Sequence, residues 1–257
     1  LSSFNTAKVK QMSGMFYGCS SLMTIYVSDY FTTSAVYYGS EMFTSCSKLK
    51  GAASYSDDKT DHTMANYTSG YFKTYFTLGE NKVELCGNPL TTESLDLSGD
   101  YDFTPKYEFK AKTATYSRDL STSGSTWFSL CLPFAYTPNN FTAYQLMSAT
   151  DDAVEIEEIT ETIAAGTPVL FKFNGEDKKI DINITATDDD KIQIVKAPVE
   201  GAKVNDTDGS SLQLCGTYQT KTFSKDADGN AFILLNDKLM NPAKMLKNEN
   251  VTTVGVK

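Results

Sequence analysis

The chain has 257 residues, 40% hydrophobic and 21% charged, which is material for one large or two medium folded domains and too apolar for a disordered chain. Its 32 acidic and 23 basic residues leave a net charge of −9 with no basic stripe to neutralise phosphates, so nucleic acid and anionic membrane are poor partners. No apolar run reaches the ~20 residues that cross a bilayer, and no secretion leader opens the sequence, an absence that does not argue for the cytoplasm.

The first element is a repeat. MSGMFYGCSSL (12–22) returns as GSEMFTSCSKL (39–49), and Phe4, Val9, Met15, Phe16, Cys19 and Leu22 match Phe31, Val36, Met42, Phe43, Cys46 and Leu49. A constant offset of 27 residues is the mark of stacked repeats. Val9, Met12, Met15, Phe16 and Cys19 fall at steps that place them on one face of a helix. Ser20 and Ser21 break that pattern, and Ile25 and Val27 then alternate as in a short strand. One helix and one strand per repeat is the plan of a leucine-rich-repeat solenoid. Cys19 and Cys46 should then be neighbours on adjacent rungs, read as an inert ladder rather than a disulfide. The five cysteines are an odd, sparse set, which is no disulfide framework. With His62 the sole histidine, no Cys/His zinc site can be written.

FNTAKVKQMSGMFYGCSSL resembles the repeat of BspA-like leucine-rich-repeat proteins, surface proteins of Bacteroidetes and other mucosal microbes. Phe4, Thr6, Val9, Met12, Met15, Phe16, Cys19, Ser20, Ser21 and Leu22 carry the resemblance, which is strong to about residue 55. The second copy departs from it at Gly39, which stands where Met12 stands in the first, and at Lys48. The resemblance implies an extracellular or cell-surface protein that adheres to host proteins or glycans.

Residues 56–80 show no clear repeat, and 82–97 read as two short strands around the Gly87-Asn88-Pro89 turn. SGDYDFTP (98–105) reads as a linker. Beyond it the chain reads as strands at 107–116, 127–134, 141–147, 154–159, 167–173, 179–184, 191–195, 211–218 and 231–235, with a weaker one at the end. TATYSR, WFSLCLPF and IAAGTPVLFKF are similar to a C-terminal module common in Bacteroidetes surface proteins. The expected fold class is therefore mixed and mainly β. A leucine-rich-repeat segment with a degenerate cap (1–98) leads into an all-β, sandwich-like module (99–257).

Chemistry-bearing residues are few. His62 lies near Asp57, Asp58 and Asp61, but no nucleophile motif accompanies it, and a solvated loop histidine is the reading adopted. Glu155, Glu157 and Glu158 read as one acidic strand rather than a pair of catalytic carboxylates. DADGN (226–230) and ATDDD (186–190) offer oxygen ligands for calcium, yet turn chemistry explains both and the distal Glu of an EF-hand is missing. Trp127, inside WFSLCLPF, reads as core. Nine of the fifteen tyrosines precede residue 76, at Tyr17, Tyr26, Tyr30, Tyr37, Tyr38, Tyr55, Tyr67, Tyr71 and Tyr75, where they line a core or offer contacts to protein or sugar. No catalytic, cofactor-binding or metal-binding residue is assigned. The expected role is non-enzymatic adhesion through the repeat surface, with a structural spacer as the alternative and a secreted enzyme behind both.

Overall fold

A computed structural model describes residues 1, 3–150, 153–205, 209–223, 230–242 and 252–254. The chain divides into two compact units, Leu1–Ser94 with Phe109–Lys112, and Leu95–Glu108 with Thr113–Lys257.

In the first unit the expected solenoid of helix-and-strand rungs is absent. Residues 7–22 contain no α-helix, and the described residues hold only one 3-10 turn, His62–Met64, in this unit. The reason lies in the backbone. Gly14 and Gly18 take φ of 66° and 74°, and Glu41 and Ser45, each 27 residues on, take 57° and 64°. A left-handed residue every four positions ends any helix, because helical propagation needs consecutive right-handed residues.

The chain instead folds as successive tight turns. Val9, Tyr17, Cys19 and Leu22 donate their N–H to the carbonyls of Thr6, Gly14, Phe16 and Cys19, and Val36, Thr44, Cys46 and Leu49 repeat the pattern on Thr33, Glu41, Phe43 and Cys46. Apolar side chains at steps of three therefore share a face without a helix.

The two copies lie one on the other. Met12, Gly14, Phe16 and Gly18 donate N–H to the carbonyls of Tyr38, Ser40, Met42 and Thr44, and Thr6 Oγ1 both donates to Thr32 O and accepts from Thr32 N. Phe16 and Phe43 stack with ring centroids 5.6 Å apart and planes 9° apart. A third segment covers the other side of the second copy, where Phe43 N–H donates to Thr60 O and His62 N–H to Gly39 O. Tyr71 and Phe72 meet Phe43 edge to face. The second copy thus has neighbours on both sides. Its Met42, Phe43 and Cys46 are fully buried, whereas Met15 of the first copy is 42% exposed.

Three strands lie wholly in this unit: β1 (Ile25–Tyr26), β2 (Phe72–Leu78) and β3 (Asn81–Leu85). β1 pairs in parallel with β2, and β2 turns back antiparallel onto β3.

In a further sheet β5 (Phe109–Asp119) pairs with β4 (Thr91–Asp96), both divided between the units, and with β10 (Lys179–Thr185) and β11 (Ile192–Ile194) of the second unit. Another four-stranded sheet runs in the order β6 (Phe128–Leu130), β9 (Val169–Phe173), β7 (Phe141–Ala149), β8 (Val154–Ile159). Three two-stranded ladders follow: β12 (Glu200–Asn205) with β13 (Ser211–Cys215), β14 (Lys221–Phe223) with β17 (Thr252–Val254), and β15 (Ile233–Leu235) with β16 (Lys238–Met240). The strand read at 154–159 is β8 residue for residue, while that read at 127–134 shrinks to the three residues of β6. The protein is thus nearly all β, built from several small sheets, and the mixed α/β reading of its opening segment is corrected.

Candidate functional site

The nine early tyrosines separate by environment. Tyr71 is fully buried and donates its hydroxyl to Lys59 O at 2.8 Å. Tyr55 donates to Asp57 at 2.8 Å, and Tyr67 donates to Asp29 at 3.1 Å. Tyr26 and Tyr75 meet edge to face at 5.2 Å beneath the Lys82 ammonium. The Tyr26 hydroxyl donates to Glu84, which Lys73 also pairs at 2.6 Å. That bond to Glu84, followed by burial, pushes the Tyr26 hydroxyl up to about 12. Glu84 is raised by burial but more than offset by Lys73 and Tyr26, and ends below its ordinary range. Tyr17, Tyr30, Tyr37 and Tyr38 remain, 60%, 68%, 76% and 69% exposed, all on the turns of the two copies. Tyr37 and Tyr38 both donate backbone N–H to Lys10 O, so they project from one short stretch beside the first copy.

His62 and its neighbouring aspartates do not form a constellation. Asp61 turns to cap the 3-10 turn, accepting from Thr63 N and Oγ1, and these bonds hold its carboxyl below the usual range. Asp57 is engaged by Tyr55. The His62 ring packs over Gly39, where any Cβ would overlap it, and its Nδ1 is buried without a hydrogen-bond partner. This contact explains why the second copy carries Gly39 where the first has Met12.

Glu155 and Glu157 face β7, accepting from Ser148 at 2.6 Å and Gln145 at 3.1 Å. Asp188, Asp189 and Asp190 are exposed, and among the described residues no three metal-ligating side chains gather. Of DADGN, residues 226–229 lie outside the described residues. Cys19, Cys46, Cys86, Cys131 and Cys215 are free thiols, and Cys46 Sγ donates to Phe16 O at 3.0 Å.

The second unit holds a cavity of about 330 Å³ whose wall includes Tyr116, Arg118, Cys131 and Tyr218. Burial pushes the Cys131 thiol up to about 12, and the thiol donates to Gly166 O at 3.2 Å, so it is a packed donor rather than a nucleophile. Gly216 leaves the room that the sulfur occupies. The Tyr218 hydroxyl lies beside this thiol, buried and without a well-formed hydrogen bond, and burial raises it well above the usual phenol range. The wall also carries Asp100 and the hydroxyls of Ser98, Ser117 and Ser129, and the cavity suits a small polar guest, water included.

Trp127 is half-buried at the start of β6 and meets Tyr144 edge to face at 5.2 Å, which corrects its reading as core.

Residues 1–75 match the model of a family described as Mycoplasma protein of unknown function, DUF285. That match contains both copies of the repeat and ends within β2. No curated protein and no solved structure matches the chain. Among the described residues no helix is long and apolar enough to cross a membrane.

Proposed function

We propose that the chain is a non-enzymatic, extracellular recognition protein of a bacterial surface, of the BspA-like kind found in Bacteroidetes, that binds a host protein or glycan through its repeated segment. The observation that carries this reading is the exposure of Tyr17, Tyr30, Tyr37 and Tyr38. Tyrosine loses little conformational freedom on binding and offers an apolar ring with a wet hydroxyl, the chemistry of contact surfaces. All four lie inside the stretch that matches the family model.

A glycan array and a panel of immobilised extracellular-matrix proteins test the reading. Each is probed with the full chain and with a Tyr17→Ser, Tyr30→Ser, Tyr37→Ser, Tyr38→Ser variant. Signals that vanish in the variant support it, and a wild-type chain silent on both panels sinks it. A second reading, a structural spacer that displays recognition segments, is favoured by the half-open apolar layer of Phe4, Met15 and Phe16 on the first copy. On that reading residues 99–257 made alone fold and bind nothing.

A further inference from the structure

The β6–β9–β7–β8 sheet of the second unit buries one face. Phe128, Phe141 and Phe171 meet there, with centroids 5.4 Å (128 to 171) and 4.8 Å (141 to 171) apart, alongside buried Leu130, Ala143 and Val169. Strand alternation sends the intervening side chains to the other face. Thr142 lies opposite Lys172, and Tyr144 opposite both Leu170 and Glu158. Carried one residue past the Phe128–Phe171 pair, the register sets Trp127 opposite Lys172. The Lys172 ammonium lies 5.5 Å from the ring centroids of both Trp127 and Tyr144.

A second observation concerns how Trp127 is held. Asp237 lies in the Asn236–Asp237 turn between β15 and β16, where both residues have positive φ. Its carboxylate accepts the N–H of Thr126 and of Trp127, each at 2.8 Å. From the other side, Lys178 Nζ donates to Ser123 O at 3.1 Å and Ser125 O at 2.8 Å. Two charged residues from distant parts of the chain thus fix a five-residue loop that ends in a half-buried tryptophan. These bonds hold the main chain of the loop and so fix where the indole projects. An aromatic that must meet a ligand gains from such a clamp, because the ordering cost is met before binding.

We propose that this outward sheet face binds a neutral saccharide. The apolar face of a sugar ring lies against Trp127 and Tyr144, while Lys172, Asn174 and Glu158 hydrogen-bond its hydroxyls. Three observations choose this occupant. Around Trp127 the face mixes aromatic rings with polar groups and a single aliphatic residue, Leu170, unlike the desolvated apolar centre of a protein interface, while farther along the same face Leu146 and Ile156 are covered in a cluster with Val204 and Leu212. Asn174 is exposed and has its Oδ1 occupied by Thr142 at 2.6 Å, which leaves its amide N–H groups as donors for a sugar hydroxyl. The neighbouring edge strand carries Glu155, Glu157 and Glu158, and the whole chain is −9, so a uronate or sulfate polymer is repelled.

Trp127 is the sole tryptophan, so its emission reports on this face alone. The full chain is run through native gels containing soluble galactomannan, xyloglucan, mixed-linkage β-glucan or polygalacturonate, and Trp127 emission is titrated with the same polymers. Retardation and an emission shift with at least one neutral polymer are expected. Trp127→Ala and Lys172→Ala, each checked for a wild-type circular dichroism spectrum, should weaken retardation at least tenfold, and Asp237→Asn several-fold. The quadruple Tyr→Ser variant of the repeat should be retarded like the wild type, which separates this site from the one above. Silence with all three neutral polymers, retardation by polygalacturonate alone, or retardation unchanged in both Trp127→Ala and Lys172→Ala overturns the proposal.

Discussion

Phe16 and Phe43 are the same letter of a repeat, stacked face to face, yet one is half-buried and the other fully so. The pattern holds along both copies: Phe4 is 53% exposed and Phe31 9%. At these matched positions burial follows whether a layer has one neighbour or two, while Met12 and Thr6 of the first copy are buried regardless. The better-covered copy also tolerates poorer local chemistry. It keeps Glu41 and Ser45 at left-handed positions where the first copy has Gly14 and Gly18, a conformation that costs about 1–2 kcal/mol for a residue with a Cβ. Packing on both sides offsets that strain, at roughly 25 cal/mol per Å² of apolar surface removed from water.

The largest test of this contrast is truncation at paired positions. Phe43→Ala should cost about 3–5 kcal/mol, and Phe16→Ala roughly half as much because part of its ring is already in water; urea unfolding that gives equal losses breaks the comparison. Next comes Gly39→Ala, whose Cβ would overlap the His62 ring. It should cost about 1–3 kcal/mol as overpacking does, and much of that should return in a His62→Ala background, read as a coupling energy in a double-mutant cycle.

Smaller still are the backbone substitutions. Gly18→Ala meets no atom within 4 Å, so its expected loss of about 1 kcal/mol is purely conformational. Ser45→Gly should gain about half that, since glycine's extra freedom in the unfolded chain opposes it; thermal melts that move the two variants in the same direction contradict the account.

The smallest effect is in pH. Glu84 is held below its ordinary range, so its contribution is present above the unfolded carboxylate pKa and lost as pH falls through the folded value. Tyr26, raised to about 12, resists ionisation in the folded state, so its contribution is full below pH 10 and declines as pH rises towards 12. Glu84→Gln should flatten both limbs of the stability profile.

Several of these features were legible in the sequence. The 27-residue offset survives as geometry in the repeated turn bonds, and alternation in VEIEEI marks β8. The helix expected before Cys19 was not legible as turns, because side chains at steps of three share a face in either. Gly14 and Gly18 were the available signal, since two glycines four apart weaken a helix by about 1 kcal/mol each. Period two inside WFSLCLPF, with Phe128 inward, would have sent Trp127 outward. The rest depends on contacts that local pattern cannot reach: His62 on Gly39 is 23 positions away, and Asp237 holds Trp127 across |i−j| = 110.

Cys19 and Cys46 give the stacked copies a built-in clock. Cys19 is open to solvent, while Cys46 is sealed beneath it with its thiol on Phe16 O. An alkylating reagent should label Cys19 at once and Cys46 only when the layers part. The lag between the two labels then measures the free energy of that local opening, in the native protein and without denaturant.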